Sequence, residues 1–475
     1  MSVTFFIKTY GCQANEADSY GLSQYLYNLG CSQVFCEQSA NIIIINTCAI
    51  RDNAEQKLFS YIGTLKNYKK LKSSLCIVII GCVASYRKQE IYERFDHISF
   101  VHGAREDISL LQAYLADTVN TLFTVNQHTE INFKQTRDIS NYISKKNLLD
   151  KTPGLIINKN ISELNLFIKN KLTKNNQTTG NISSLINIMT GCNKYCSYCI
   201  VPFTRGREIS YPASEILNKV RTEIASGAKE VILLGQNVNS YQDPETKIKF
   251  HELLEQVAQI DGEFWVRFFS PHPRDLTKEL FYIMKKHRLK LTACIHFPLQ
   301  SGSNKILALM NRDYTREEYL EKINWIREIL PEATISTDII VGFPGETDQE
   351  FLETLDIMEK VHFDMIYSFV YSPRKYTKAF NLSDTYPQEK KYKNLEELQK
   401  RHRDIAIKQN SLKINTIQKV LVEKQLPHGK LLAKTEGNIR VIFAGDPSLI
   451  GQFVPVYIDK VTVTYLDGHL VKEKW

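Results

Sequence analysis

The densest chemistry in the sequence is Gly191-Cys192-Asn-Lys-Tyr-Cys196-Ser-Tyr-Cys199. Its pattern is CxxxCxxC, with an aromatic residue before the last cysteine. Three thiolates on one loop can hold three irons of a 4Fe-4S cube. The motif offers the fourth iron no cysteine, and an open metal position is where substrate chemistry takes place. Zinc is the alternative metal. Structural zinc usually pairs two CxxC knuckles, or a CxxC with a His pair, and no such partner follows here. Three purely structural cysteines are the remaining reading.

The elements that must hold this loop can be read from apolar periodicity. Strand Leu185–Met189 runs directly into it, and further strands are expected at Glu230–Leu234, Trp265–Phe269, Ala293–Phe297, Thr334–Val341 and Met365–Tyr371. Helical stretches such as Ser214–Ser226 and Thr315–Ile329 alternate with them. About six βα units are too few for a closed eight-fold barrel, so an open, partial barrel is expected.

The N-terminal part repeats one phrase three times: an apolar strand, a short turn ending in cysteine, then a helix. The strands Val3–Ile7, Ile42–Ile45 and Ile77–Ile80 lead to Cys12, Cys48 and Cys82. Ile-rich strands between amphipathic helices predict a parallel sheet covered on both faces. Ligands of such sheets bind beyond the carboxyl ends of the strands. All three cysteines lie there and can converge. The alternative is three buried cysteines acting as small apolar residues. Cys31, Cys36, Cys76 and Cys294 lack this placement and read as structural.

The fold class is therefore α/β, with expected domains at 1–127 (parallel α/β), 128–183 (an Asn/Lys-rich linker or insertion), 184–410 (partial barrel) and 411–475. The last follows a charged helical run, Gln388–Gln409. Short alternating strands with glycine turn markers predict a small antiparallel barrel there. Val454, Val456 and Ile458 should point one way, with Val461 and Val463 continuing after a break.

Composition bounds the function. Sixty Lys+Arg against 52 Asp+Glu give +8, which permits an anionic partner such as RNA without requiring one. A 43% hydrophobic content excludes global disorder and collagen. No apolar run is long enough for a membrane span, and the N-terminal apolar stretch is too short for a signal peptide. The ten cysteines read as intracellular thiols, some of them metal ligands. A cytoplasmic protein is expected.

The cysteine loop opening a partial barrel resembles the radical S-adenosylmethionine (SAM) superfamily. Thr9-Tyr-Gly-Cys12-Gln, Asn46-Thr-Cys48-Ala-Ile-Arg51, Gly81-Cys82-Val-Ala84, Leu234-Gly-Gln-Asn-Val-Asn-Ser-Tyr241, Ser270-Pro-His-Pro273, Pro298-Leu-Gln-Ser-Gly-Ser303 and Ser336-Thr-Asp-Ile-Ile-Val-Gly-Phe-Pro-Gly-Glu-Thr347 narrow the resemblance to its methylthiotransferase family. The terminal barrel is similar to a TRAM domain, an RNA-binding module. The resemblance implies two 4Fe-4S clusters. One, on Cys192, Cys196 and Cys199, would chelate and reductively cleave SAM. The other, on Cys12, Cys48 and Cys82, would handle the inserted sulfur. It implies addition of a methylthio group to C2 of N6-dimethylallyl(isopentenyl)adenosine at tRNA position 37. The partners would be a tRNA anticodon stem-loop, an external electron donor and a sulfur source, with no membrane, and the protein would be a monomer.

Individual residues carry paired readings. Tyr198 would pack near the SAM adenine or serve as a core aromatic. Gln236, Asn237, Gln300 and Ser301 lie at the ligand edge and suit SAM contacts, although loop solubility accounts for them equally. Gly342 and Gly345 would let backbone approach SAM closely. Arg205 and Arg207 flank the cluster loop and suit RNA, or form a surface ion pair. Lys419, Lys424, Lys434, Arg440 and Lys460 would follow a phosphate backbone, or form a scattered solvated face. Two departures from the family pattern bear on substrate contacts: Tyr211 stands where Arg is usual, and Lys375-Tyr376 replaces a Pro-Gly turn. Rival functions are a sibling methylthiotransferase acting on threonylcarbamoyl-adenosine tRNA or a ribosomal protein aspartate, and a non-catalytic iron–sulfur RNA-binding module.

Overall fold

The computed structural model describes residues 2–49, 52–124, 181–384 and 386–471. The expected linker, up to residue 180, lies outside them. The chain divides into two compact units. One takes in the described residues up to 124 together with Ile200–Gly206. The other takes in the described residues from 181 to 199 and from 207 onward.

The first unit runs β1 (Thr4–Tyr10), α1 (Gln13–Asn28), β2 (Ser32–Gln33), β3 (Ile42–Thr47), α2 (Asp52–Leu71), β4 (Cys76–Gly81), α3 (Cys82–Arg94), β5 (Phe100–Gly103) and α4 (Ile108–Thr124). The sheet is parallel, in the order β2-β1-β3-β4-β5. Alternation along each strand feeds two cores. Ile43, Ile45, Ile77 and Ile79 pack with Leu58, Ile62 and Leu65 of α2 and Ile91 of α3. Ile42, Ile44, Val78 and Ile80 pack with Leu22 and Leu26 of α1 and Leu111, Leu115 and Val119 of α4. Each fully buried Ile or Leu contributes about 1.5–3 kcal/mol, which is why the isoleucine runs settle here and nowhere else.

In the second unit, β6 (Ser183–Asn187) precedes a short antiparallel pair, β7 (Met189–Thr190) with β8 (Ile209–Ser210). Then come β9 (Glu230–Leu234), β10 (Trp265–Phe268), β11 (Cys294–His296), β12 (Thr334–Val341) and β13 (Met365–Val370). They form two parallel sheets, β10-β9-β6 and β11-β12-β13. A seam joins them: the Val266 N–H donates to the Lys290 carbonyl at 2.8 Å, and the Thr292 N–H to the Val266 carbonyl at 3.2 Å. Among the described residues β13 does not pair with β6, so the six-stranded barrel stays open.

The terminal strands β14 (Ile417–Leu426), β15 (Lys430–Thr435), β16 (Arg440–Ala444), β17 (Phe453–Val461) and β18 (Tyr465–Leu470) close a barrel in the order β14-β15-β16-β18-β17. One pair departs from the antiparallel expectation: β16 and β18 run parallel. Val454, Val456 and Ile458 do point into the core. A register shift between Ile458 and Lys460 returns Val461 to it, while Val463 falls in the turn after β17.

The turn between β15 and β16 docks on the starts of the open-barrel strands. Arg267, fully buried, donates through Nε to Glu230 Oε1 at 2.6 Å and through its Nη atoms to the carbonyls of Glu436 and Thr435. Lys434 reaches Glu230 Oε2 and Glu423. Thr334 Oγ1 donates to the Gly437 carbonyl at 2.9 Å. A Cβ on Gly437 would lie 2.5 Å from Thr334 Cγ2, so only glycine lets the turn sit this close.

Candidate functional site

The first unit brings its three strand-end cysteines to one edge. Register pairs Tyr10 with Thr47 and Thr47 with Gly81, on strands spaced about 4.8 Å apart. Cys48 and Cys82 follow these residues directly, and Cys12 lies two past Tyr10. The Cys48 N–H donates to the Tyr10 carbonyl at 2.9 Å. Cys12 caps α1, with Asn15 Oδ1 receiving its backbone N–H at 3.4 Å and its thiol at 3.3 Å. Asn15 Nδ2 in turn donates to Asn46 Oδ1 at 2.8 Å, and Asn46 Nδ2 donates to the Asn15 carbonyl and to Ser19 Oγ. This buried amide network fixes the turn under the cysteines. A hydrogen bond with Cys48 lowers the Cys12 pKa to about 6, against burial. Burial pushes the Cys82 thiol up, and the nearby Arg205 guanidinium pulls it back.

Gly81 is indispensable to this edge. Its φ is +97°, and a Cβ would lie 2.4 Å from Asn46 Oδ1 and 2.6 Å from the Thr47 carbonyl. Gly81→Ala is expected to cost roughly 1–3 kcal/mol in backbone strain alone. It should also displace Asn46 and reduce the iron retained at this edge, measured as iron per chain in protein whose Cys192 loop has been removed.

In the second unit the loop 191–199 follows β6 and β7 at the carboxyl rim of the open barrel. Cys192 and Cys196 are buried and Cys199 is half-buried. Gly191 and Tyr195 take positive φ, +79° and +49°. The loop is pinned at several points. The Cys199 N–H donates to the Cys196 carbonyl, Ser197 donates through N–H and Oγ to the Met310 and Leu309 carbonyls, and Asn311 Nδ2 donates to the carbonyls of Lys194 and Tyr195. Lys194 pairs with Asp275. Burial raises the Cys192 pKa to about 11. Arg312, buried, directs Nη1 to Cys196 Sγ at 3.3 Å and to Tyr198 Oη at 3.4 Å, while Nη2 donates to the Pro298 carbonyl at 3.2 Å. No pattern in the sequence singles Arg312 out, because its reach to the cysteines depends on two loops folding together.

Both thiol trios offer the sulfur donors of an iron–sulfur cube. Among the described residues no group of three His, Cys, Asp or Glu side chains is placed to hold a metal ion. A cube distributes its thiolates over separate irons, and sulfur donors beside a guanidinium fit an anionic iron–sulfur centre.

The expected SAM contacts divide. Gln236 Oε1 is buried without a partner, as are both amide atoms of Asn239, His272 Nε2 and Tyr371 Oη. Such orphans cost about 1–3 kcal/mol each. They lie on the loops after β9 and β10 and just past β13, which is where a polar ligand would satisfy them. His272 is held neutral, its pKa lowered to about 2 by burial and by Arg312. Asn237, by contrast, is committed: Nδ2 donates to Asp275 Oδ2 at 2.7 Å, and Oδ1 receives the His272 N–H at 3.0 Å. Ser301 is buried against Ser303 and Thr354. Gln300 takes φ +71° and donates its N–H to the Asp338 carbonyl. Gly342 (φ +71°) has Lys391 where a Cβ would stand, and Gly345 (φ +90°) abuts Leu309. Tyr198 packs against the cluster of Ile306, Met310, Phe343, Tyr371 and Ala379.

The residues expected to meet RNA divide as well. Arg207, Lys424, Arg440 and Lys460 are exposed. Lys419 pairs with Glu263 and lies over the Phe453 ring. Lys434 is buried between Glu230 and Glu423, so it holds the docked turn instead of facing solvent. Arg205 is buried beside Cys82, with Nη2 donating to Asp18 Oδ2 at 2.8 Å. Of the departures, Tyr211 packs against the open-barrel core and exposed Tyr376 takes φ +77°. Cys31, Cys76 and Cys294 are buried, and Cys36 is exposed.

An open barrel of six parallel strands with a three-cysteine loop on its carboxyl rim defines a radical SAM protein. The Radical SAM superfamily model matches residues 186–358, Uncharacterized protein family UPF0004 matches 4–103, and the TRAM domain matches 412–471. The radical S-adenosylmethionine methyltransferase TsrM from Kitasatospora setae, solved with cobalamin and a [4Fe-4S] cluster, shares the fold. Its TM-score is 0.52 at 12% identity, over 80% of this chain and 77% of that one. Relatives named tRNA-2-methylthio-N(6)-dimethylallyladenosine synthase are much nearer in sequence. The one from Thermodesulfovibrio yellowstonii is 38% identical over 98% of both chains, and that from Geobacter metallireducens 37% over 98% of both. The chain belongs to the tRNA-2-methylthio-N(6)-dimethylallyladenosine synthase family.

Proposed function

We infer that the chain is a radical SAM methylthiotransferase that adds a methylthio group to C2 of N6-dimethylallyladenosine in tRNA, at position 37 beside the anticodon. The observation that carries this is end-to-end similarity to synthases of that name, with both cysteine trios in place. Cys192, Cys196 and Cys199 would hold one 4Fe-4S cluster, and Cys12, Cys48 and Cys82 the other. When bound, the first supplies one-electron reductive cleavage of SAM, and with it the means to take hydrogen from an unactivated aromatic carbon that has no acidic proton.

The chain's own residues position and shield this chemistry. Arg312 holds Cys196 and Tyr198 in one arrangement. Gln236, Asn239 and His272 present buried polar atoms to the rim, and neutral His272 adds no charge there. Asn15 and Asn46 fix the turn that carries Cys12. Lys424, Arg440 and Lys460 on the terminal barrel support contact with the phosphates of an anticodon stem-loop. A monomer in the cytoplasm, served by an external electron donor and sulfur source, fits this reading. No helix among the described residues is long and apolar enough to cross a membrane.

The test is nucleoside mass spectrometry of tRNA from a strain lacking the gene. Methylthio-dimethylallyladenosine should vanish and dimethylallyladenosine accumulate, with plasmid-borne protein restoring the product. Persistence of the methylthio nucleoside overturns the assignment, and loss of methylthio-threonylcarbamoyl-adenosine instead identifies the sibling activity.

A further inference from the structure

Arg205 belongs to Ile200–Gly206, a segment stitched into the first unit by its backbone. Ser85 Oγ donates to the Thr204 carbonyl at 2.9 Å, and Arg105 Nη1 donates to the Phe203 carbonyl at 3.2 Å. The guanidinium is only 7% exposed. Asp18 of α1 clamps Nη2 at 2.8 Å. Ser85 Oγ also lies 3.5 Å from the Gly81 carbonyl, so one hydroxyl joins the peptide ahead of Arg205 to the peptide ahead of Cys82, and the guanidinium, held on α1 by Asp18, lies alongside the start of α3 that bears Cys82.

Three thiolates on a cube give a centre of net negative charge. At an edge where Cys48 and Cys82 are buried, that charge needs a fixed counterion, since an unpaired buried charge is very unfavourable. Net charge and hydrogen bonds to the sulfurs also set a cluster's reduction potential. We propose that Arg205, held by Asp18, is a positioning residue of the second iron–sulfur centre, supplying a fixed positive charge on its Cys82 side that raises the centre's reduction potential. This rests on the reading that Cys12, Cys48 and Cys82 hold a cluster.

The test uses the full chain with Cys192, Cys196 and Cys199 all changed to Ala, so that only the second centre takes up iron after anaerobic reconstitution. Iron and sulfide content, and the midpoint potential from an EPR-monitored redox titration, are then compared for the parent, Arg205→Gln, Arg205→Lys and Asp18→Asn. Arg205→Gln should lower the midpoint by the equivalent of a tenfold or greater change in the reduced-to-oxidised ratio, about 59 mV for a one-electron couple. Arg205→Lys, which keeps the charge, and Asp18→Asn, which loosens the clamp, should each shift it less. Loss of iron from Arg205→Gln but not from Arg205→Lys, with the apoprotein melting temperature unchanged, also supports the proposal. An intact centre at the parent potential in Arg205→Gln overturns it. So does loss of iron from both Arg205 variants together with a lowered apoprotein melting temperature, which would make Arg205 a structural residue. A parent that takes up no iron instead defeats the two-cluster reading itself.

Discussion

Alanine at Cys192, Cys196 or Cys199 is expected to stop 5′-deoxyadenosine release from SAM altogether, whereas alanine at Cys12, Cys48 or Cys82 should leave that release in place and remove only the methylthio product. The two trios lie on separate supports: one on a rim loop pinned through Ser197, Asn311 and Arg312, the other on three adjacent strand ends. Removing a thiolate from one leaves the hydrogen bonds of the other untouched. Each single variant should lose about four irons per chain, since a cube held by three thiolates is not retained by two. Mass spectrometry of 5′-deoxyadenosine and of the nucleosides in the same reaction reads both outcomes. If Cys48→Ala silenced SAM cleavage while the rim loop kept its iron, the division of labour would be wrong.

The second large effect concerns the terminal barrel. Glu230→Gln should destabilise the second unit by about 3–5 kcal/mol, the usual cost of leaving a buried ion pair half-made. The substitution preserves volume and removes only charge, so Arg267 and Lys434 would face each other across a neutral amide. Hydrogen exchange should localise the loss to the β15–β16 turn and the starts of β9 and β10. Burial works against the Glu230 carboxylate, but Arg267 and Lys434 outweigh it and hold its pKa below the ordinary 4.5. The carboxylate is thus favoured by folding. Its contribution is fully present above 4.5 and is lost only as the pH falls through the lowered value. The wild-type contact should be indifferent to pH between 6 and 8. An unchanged exchange pattern in Glu230→Gln would show that the Thr334 bond to the Gly437 carbonyl, with the Trp265–Phe453 contact beside it on β17, holds the barrel in place without the charge.

Two of the strands that carry the cysteines, β3 and β4, were legible because each is an apolar run buried on both faces, while β1, mostly half-buried, showed only its Val3–Ile7 apolar stretch. Glu230–Leu234 and Thr334–Val341 appear with the expected bounds. β5 was not legible: Phe100-Val-His-Gly103 is too short to show a period, and His102 breaks its apolar character. Side-chain partnerships across long sequence separations escaped altogether. Arg205 and Lys434 look like surface cations until Asp18 and Glu230, 187 and 204 residues away, are brought to them. Glycine in Gly81-Cys82 could be noted from sequence, but its necessity comes from Asn46 on the neighbouring strand.

The docked β15–β16 turn has a geometric consequence for reach. It covers the starts of β9 and β12, at the end of the open barrel opposite the rim that bears the cysteine loop. Strands of five to eight residues set that rim roughly 15–25 Å from the docked turn. The salt links at Glu230 keep that separation constant, so within the second unit the terminal barrel and the cysteine-bearing rim stand like the two jaws of a caliper at a set reach.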